Sequence, residues 1–382
     1  MGWTGIQYSA FRAALAIAVA HICWVRLPLV EGPPWPLLLL GIPAAFALSL
    51  GWRDRALAGH LLLLVGGLAA FIDGAPLVLP KGDVLLTAGL LLFHLFVPIT
   101  PFGSWDARAR IDPRGDWYRP NWMAHASWAW LVLLYVERAT SLWSSAAGTE
   151  SPLTSLFLPS VVAILALAAF AALFVTRWRP GAWIALTLAH IGWITAFGMN
   201  PGEGVLLLVL AFAADPSWWP GRSLTTCAAP ELDEARPARL FYDGDCGFCH
   251  RSVRIILSEE AGTPSALRLR FAPLQGPTFD QEFATRKKEF ARREHPEEEP
   301  LPDSIVLVLE DGRILTRSAA LCEVASRLGG LWRGIGLVGS ILPAAALDRA
   351  YDGIAGIRKK IFKQPNDACP ILPPDLRARF DA

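Results

Sequence analysis

The sequence predicts an α-helical multi-span membrane bundle followed by an α/β domain, and three observations predict it. Of 382 residues, 53% are hydrophobic and only 18% charged, where water-soluble proteins carry about a quarter. The charges are unevenly spread: residues 1–220 hold 12 Lys+Arg and 11 Asp+Glu, whereas residues 221–382 hold 23 of each. Fifteen of the 16 tryptophans precede residue 220, as expected where indoles populate a membrane interface. A formal net charge of +1 carries no polyanion signature, so nucleic acid is not an expected partner. The first apolar stretch contains His21 and Arg26 and lacks a small-residue cleavage site, which argues against a cleaved export signal.

A hydrocarbon core of about 30 Å needs roughly 20 apolar residues per helix. Runs near 11–30, 35–51, 56–73, 84–100, 122–144, 155–176, 181–200 and 203–219 predict eight spans in a domain of residues 1–220. Pro43 and Pro98 interrupt two of them. Lys and Arg of short loops collect on the cytoplasmic side. Eight spans put Arg12, Arg53, Arg55, Arg108, Arg110, Arg114, Arg119, Arg177, Arg179 and Arg222 on one side and Lys81 on the other, with Arg26 and Arg138 near that second surface. The expected location is therefore a bacterial inner membrane, multi-pass, with both termini cytoplasmic. The inner loop 101–121, rich in Arg and Trp, is suited to lie along lipid headgroups. His21, His60, His94, His125 and His190 fall in or beside spans. An ionisable group at that depth faces a cavity or a partner, or it bridges helices as a neutral imidazole.

Residues 221–238 lose the apolar runs and gain Pro, Glu and Arg, as a linker should. The third domain, 239–382, alternates elements. Arg239–Asp243 reads as a buried strand, 247–258 as a helix with Val253, Ile256 and Leu257 on one face, and 266–272 as a second strand. A charged helix follows at 278–294. Ser304–Glu310 and Arg313–Thr316 are expected to pair around Asp311-Gly312, a two-residue hairpin signal. Helices at 318–329 and 333–360 complete the order β-α-β-α-β-β-α, that of a thioredoxin-like layer sandwich.

Six cysteines, with one close pair, do not make a secreted disulfide framework. Cys246-Gly247-Phe248-Cys249 lies between the first strand and first helix, where unpaired N–H groups and the positive helix end favour a thiolate. Cys246 is the expected attacking sulfur and Cys249, one turn on and partly buried, the resolving one. Asp243 and Asp245 oppose thiolate formation, and Asp243 is placed to take a proton from the resolving thiol. Pro302, before the third strand, occupies the position where a thioredoxin fold carries a cis-proline facing the dithiol. Three other readings stay open here. Cys-x-x-Cys-His250 matches a c-type haem attachment string, Cys246, Cys249 and Cys369 with a histidine could ligate zinc, and the pair could be buried, unreactive thiols. Cys322 reads as core packing, Cys369 as a candidate third redox thiol, and Arg358-Lys359-Lys360 as a basic surface face of a helix.

Two families are resembled. LLLFHLFVPITPFGSWDARA (91–110), PNWMAHASWAWLVLLYVERATSLW (120–143) and LAHIGWITAFGMNPGEGVLLLVLAFAADPSWW (188–219) resemble the horizontally transferred transmembrane (HTTM) domain of vitamin K-dependent gamma-carboxylases, anchored on Ser104-Trp105-Asp106, Tyr135 and His190. The carboxylases place a catalytic lysine shortly after the tyrosine; here Ser141, Leu142 and Trp143 stand there, and Arg138 stays protonated and cannot act as the base. The sequence therefore argues against glutamate carboxylation. YDGDCGFCHRSV (242–253), LPDSIVLV (301–308), DGRILTRSAA (311–320), LPAAALDRAYDGIAGIRKKIF (342–362) and CPILPPDLRARF (369–380) resemble the DCC family of thiol-disulfide oxidoreductases. Its signature maps onto Asp243, Cys246 and Cys249. That resemblance implies a thiol-disulfide oxidoreductase; joined to the expected spans, it is expected to be a membrane-anchored enzyme of the protein-disulfide reductase type, with a thiol or disulfide substrate or a redox partner protein, no soluble cofactor and no metal. The alternative is a membrane enzyme or binder of a lipophilic, quinone-like ligand near His125, Tyr135 and His190, with the dithiol as accessory reductant. A plain membrane anchor is a third reading.

Overall fold

A computed structural model of the chain describes residues 3–26, 35–71, 81–108, 110–115, 117–146, 156–199, 201–218, 237–260, 263, 268–290, 304–361 and 372–381. It divides into two compact units. The expected linker, 221–238, lies almost wholly outside the described residues, as do Pro302 and Cys369.

The first unit, Gly2–Arg108 with Trp117–Asp215, is helical. Its helices are α1 (Gly5–Arg26), α2 (Trp35–Leu50), α3 (Asp54–Phe71), α4 (Lys81–Phe96), α5 (Asn121–Ala146), α6 (Leu158–Phe174), α7 (Arg179–Phe197) and α8 (Pro201–Ala213). Neighbours in sequence pack as hairpins, α1 on α2, α3 on α4 and α5 on α6, while α8 touches α1, α4, α5 and α7. That central place explains why Val205, Val209, Leu210 and Phe212 of α8 are buried. The outside is apolar too: Ile17, Phe46, Leu63, Leu133, Ile164 and Leu188 are each more than 60% exposed, an exterior that suits lipid rather than water.

A helix stands in each stretch expected to span, but length separates them. Among the described residues, Gly5–Val25 and Thr176–Phe197 are long and apolar enough to cross a membrane. Helices α2, α4, α6 and α8 have 13 to 17 residues, which at 1.5 Å per residue is about 20–26 Å, short of the hydrocarbon core. Helix α5 is long enough, but Glu137, Arg138 and its serines lower its hydropathy.

The second unit joins Ala109–Asp116 to Pro216–Ala382. Strands β1 (Arg239–Tyr242), β2 (Arg270–Pro273), β3 (Val306–Val308) and β4 (Ile314–Thr316) form one mixed sheet in the order β2-β1-β3-β4. Strands β1 and β2 are parallel, linked through α9 (Gly247–Glu259); β1/β3 and β3/β4 are antiparallel. Alternation along the strands builds two cores. Leu240, Tyr242, Phe271 and Leu307 face α9 and α11 (Arg317–Leu328), meeting Val253, Leu257 and Val324, while Phe241, Ala272, Val306 and Val308 face Phe283 of α10 (Pro277–Phe290). The expected order of elements is thus present, with two corrections. Leu309 N–H donates to the Arg313 carbonyl at 2.9 Å, so the β3/β4 loop has three residues, Glu310, Asp311 and Gly312, with Gly312 at φ +83°; a glycine at that point closes a three-residue loop as well as a two-residue one. The last long helix is broken into α12 (Gly330–Ile341) and α13 (Ala344–Ile361). Pro343 holds Leu342 extended (φ −75°, ψ 151°), the restriction a proline imposes on its predecessor. The two helices bend by 117°, and taken as one they would make a third apolar candidate span.

A short α14 (Pro374–Arg377) carries Leu376 into the core. Beyond it, Phe271 N–H donates to the Arg379 carbonyl and Asp381 N–H to the Phe271 carbonyl, at 2.9 and 2.8 Å, so Phe380 bridges to the outer edge of β2. Arg114 pairs with Asp375 at 2.6 Å in the same unit.

Candidate functional site

The Cys246–Cys249 segment follows the carboxyl end of β1 directly. Cys246 N–H donates to the Asp243 carbonyl at 3.2 Å, closing a turn over Gly244-Asp245. Cys246 is then the N-cap of α9, in extended conformation (φ −103°, ψ 111°), and its carbonyl accepts the helix bond from His250 N–H. Its side chain makes no capping bond. Cys249 falls one turn later, where its thiol interacts with that of Cys246. Both are buried, Cys246 to 1% and Cys249 to 5% exposure. A partly buried Cys249 was expected; the burial of Cys246 was not legible from its loop-to-helix position, because Tyr242, Leu240 and the rest of the core close over it.

Burial pushes the Cys249 thiol up to about 12, with the interaction with Cys246 and the Asp243 charge adding to it and Arg358 opposing it. Arg358 arrives from α13. Its guanidinium is 4% exposed and stands 3.6 Å from Asp243 Oδ2. The expectation of a basic surface face is corrected here: Arg358 turns inward to a buried carboxylate. Asp243 also accepts hydrogen bonds from Asp245 N–H and from Gln275, both at 3.1 Å. Gln275 accepts in turn from Gly244 N–H at 3.1 Å, which fastens the loop before Cys246 to the end of β2. Asp245 itself is exposed.

Tyr351, two turns before Arg358 on α13, accepts the Ile305 N–H at 3.0 Å and interacts with Arg358 through its hydroxyl. Sequence reasoning missed Tyr351 and Gln275. The seven-residue spacing of Tyr351 and Arg358, with Ile354 and Ala355 between them, puts them on one helix face and was the available signal. His250, the residue that completes a haem-attachment string, donates Nε2–H to the Gly244 carbonyl at 2.7 Å and packs edge-on against Tyr242.

Cys322 is half-buried rather than a core residue. It lines a cavity of about 390 Å³ between the sheet, α9, α11, α12 and α13, whose wall also includes Cys249, Tyr351 and Arg358.

The residues singled out in the helical unit behave differently from one another. His190 Nδ1 lies 3.3 Å from Glu203 Oε2, and its Nε2 is 3.0 Å from the Glu203 carbonyl; Arg138 pairs with the same carboxylate at 2.6 Å. Tyr135 is buried within electrostatic reach of Arg138 and Glu203. His125 is exposed on α5, 3.3 Å from the Asn121 carbonyl.

Residues 240–364 match the family described as DCC1-like thiol-disulfide oxidoreductase. The uncharacterized protein YuxK of Bacillus subtilis (strain 168) is 30% identical over 141 residues, which cover 37% of this chain and 91% of that protein. The chain belongs to the DCC1-like thiol-disulfide oxidoreductase family. The DCC1-like match contains the whole dithiol site, Asp243, Cys246, Cys249, Gln275, Tyr351 and Arg358, and stops short of Cys369. Family membership points to a thiol-disulfide redox role and to oxidoreductase activity for the DCC1-like domain. No solved structure matches the chain.

Proposed function

We propose that this chain is a membrane-anchored thiol-disulfide oxidoreductase whose Cys246/Cys249 couple does the chemistry, as a disulfide reductase. The observation that carries the reading is two buried thiols one turn apart at the start of α9 beside a buried Arg358–Asp243 pair. The Cys246 thiolate attacks a substrate disulfide, forming one S–S bond and breaking another, and the leaving thiolate takes a proton. Cys249 then attacks Cys246, releasing the second substrate sulfur as a thiol and leaving the Cys246–Cys249 disulfide. Arg358 favours the Cys249 thiolate by charge, and Asp243 both holds Arg358 and takes the proton Cys249 loses. Pro302 and Cys369 join this reading as substrate holder and third thiol.

The fold supports it: a βαβ unit followed by a β-hairpin, with the dithiol at the first strand-to-helix turn, is the arrangement of a thioredoxin-like domain over 239–382. The apolar exterior of the described helices of the first unit, the resemblance of residues 1–220 to an HTTM domain and the Arg-rich loops support a multi-span anchor in a bacterial inner membrane with both termini cytoplasmic. The test is disulfide reduction by the full chain. Cys246→Ser should abolish turnover and Cys249→Ser should trap the mixed disulfide, while Cys23→Ser, in α1, should retain wild-type rate. Undiminished turnover by Cys246→Ser would sink the assignment.

A further inference from the structure

The cavity beside the dithiol has a shape and polarity that disulfide exchange does not use. Its volume of about 390 Å³ is within the range that takes a whole small ligand. Most of its wall is aliphatic or aromatic, including Ile256, Val324 and Ile354. One end is polar, where Cys249, Tyr351 and Arg358 meet. Of the two redox cysteines, Cys249 lines it and Cys246 does not. The surface around it is apolar as well: Leu321 of α11, Ile335 of α12 and Ile354 of α13, which line it, are about half exposed, and Leu337, Val338 and Ile341 of α12 are exposed too. A peptide disulfide bound for Cys246 needs none of this. A flat, lipophilic molecule with hydrogen-bonding oxygens does.

We propose that this cavity binds a lipophilic quinone and that electrons pass between its ring and Cys249. The inference rests on the reading of Cys246/Cys249 as a redox couple. A quinone carbonyl at the polar end accepts hydrogen bonds from Arg358 and Tyr351, the tail follows the aliphatic wall, and the apolar rim of α12 and α13 admits it from lipid. The Cys249 thiolate adds to the ring, forming an S–C bond. Attack of the Cys246 thiolate on Cys249 forms the disulfide and breaks the S–C bond, whose electron pair stays on the ring. The two thiol protons end on the two quinone oxygens. Dithiol and quinone thus become disulfide and quinol with two electrons and two protons transferred, and the same steps run backwards from quinol.

The experiment uses the full chain in lipid nanodiscs, reduced and desalted, with decyl-ubiquinone and a disulfide-linked peptide as separate oxidants. Wild type should lose two thiols for each quinol formed. Ala355→Trp on α13 and Leu321→Trp on α11, each of which places an indole in the cavity wall, should lower the ratio of quinone rate to peptide rate at least tenfold. Binding is read apart from electron transfer in the Cys246→Ser/Cys249→Ser double variant, where decyl-ubiquinone should slow alkylation of Cys322 at least fivefold and the peptide should not. Unchanged rate ratios in both cavity variants, or no protection of Cys322, overturn the quinone site. Oxidation by the peptide but not by the quinone overturns this inference alone, whereas oxidation by neither overturns the redox couple itself.

Discussion

Burial and Arg358 act on Cys249 in opposite directions, and the outcome is a thiol held at about 12. Replacing Arg358 by Gln removes the charge that favours the thiolate, so mixed disulfides should resolve more slowly at every pH below about 12, while Arg358→Lys should restore part of the rate; stopped-flow release of a chromogenic thiol between pH 6 and 10 reads it. A stability consequence follows by linkage. The folded chain holds the Cys249 proton to about 12, whereas the unfolded chain releases it near the ordinary value of 9.0. The stabilisation is complete below about pH 9 and is lost as pH rises toward 12. Cys249→Ala should flatten that alkaline decline in unfolding free energy. The two cysteines were legible because a Cys-x-x-Cys at a strand-to-helix turn is specific in context. Arg358 was not: Arg-Lys-Lys reads as a solvated face, and only the packing of α13 shows that the first of the three turns inward. Cys322 was misread for the opposite reason, since its helical spacing with alanines matches a core and a cavity wall equally well.

Strand and helix order could be read from periodicity, but the joints between elements could not. A hydrophobic pattern gives Val306–Val308 and Ile314–Thr316 without saying which carbonyl Leu309 meets, so a two-residue turn was expected where the chain has three. Gly312 at φ +83° makes this testable: Gly312→Ala should destabilise the unit by about 1 kcal/mol, and Gly312→Asn by less, because asparagine tolerates the left-handed region. Thermal unfolding compares the variants. The Tyr351 hydroxyl ties α13 to Ile305, the residue before β3. Tyr351→Phe leaves the Ile305 N–H without its acceptor and should cost about 1–3 kcal/mol. Isoleucine at the same position should cost more, since the ring also fills the cavity wall.

At the scale of the molecule, composition revealed that two unlike halves are joined, and the structure resolves them as a helical unit and a mixed sheet with its helices. The number of spans was not legible, because apolar runs interrupted by Pro43 or short of 18 residues look alike in sequence whether they cross a bilayer or pack inside one. The proposed topology makes one more prediction: in intact cells a membrane-impermeant maleimide should leave Cys322, the half-exposed cysteine of the second unit, unlabelled until the membrane is permeabilised. Labelling without permeabilisation would reverse the orientation. A last consequence lies in the pairing of Phe380 with β2. A sheet edge is a template on which another chain can grow, and here that template is filled by the chain's own residues 379–381, while the opposite edge, β4, is three residues long. Deleting residues 379–381 should therefore open that edge and let the unit polymerise by strand addition, seen as light scattering that rises with concentration at unchanged helix content.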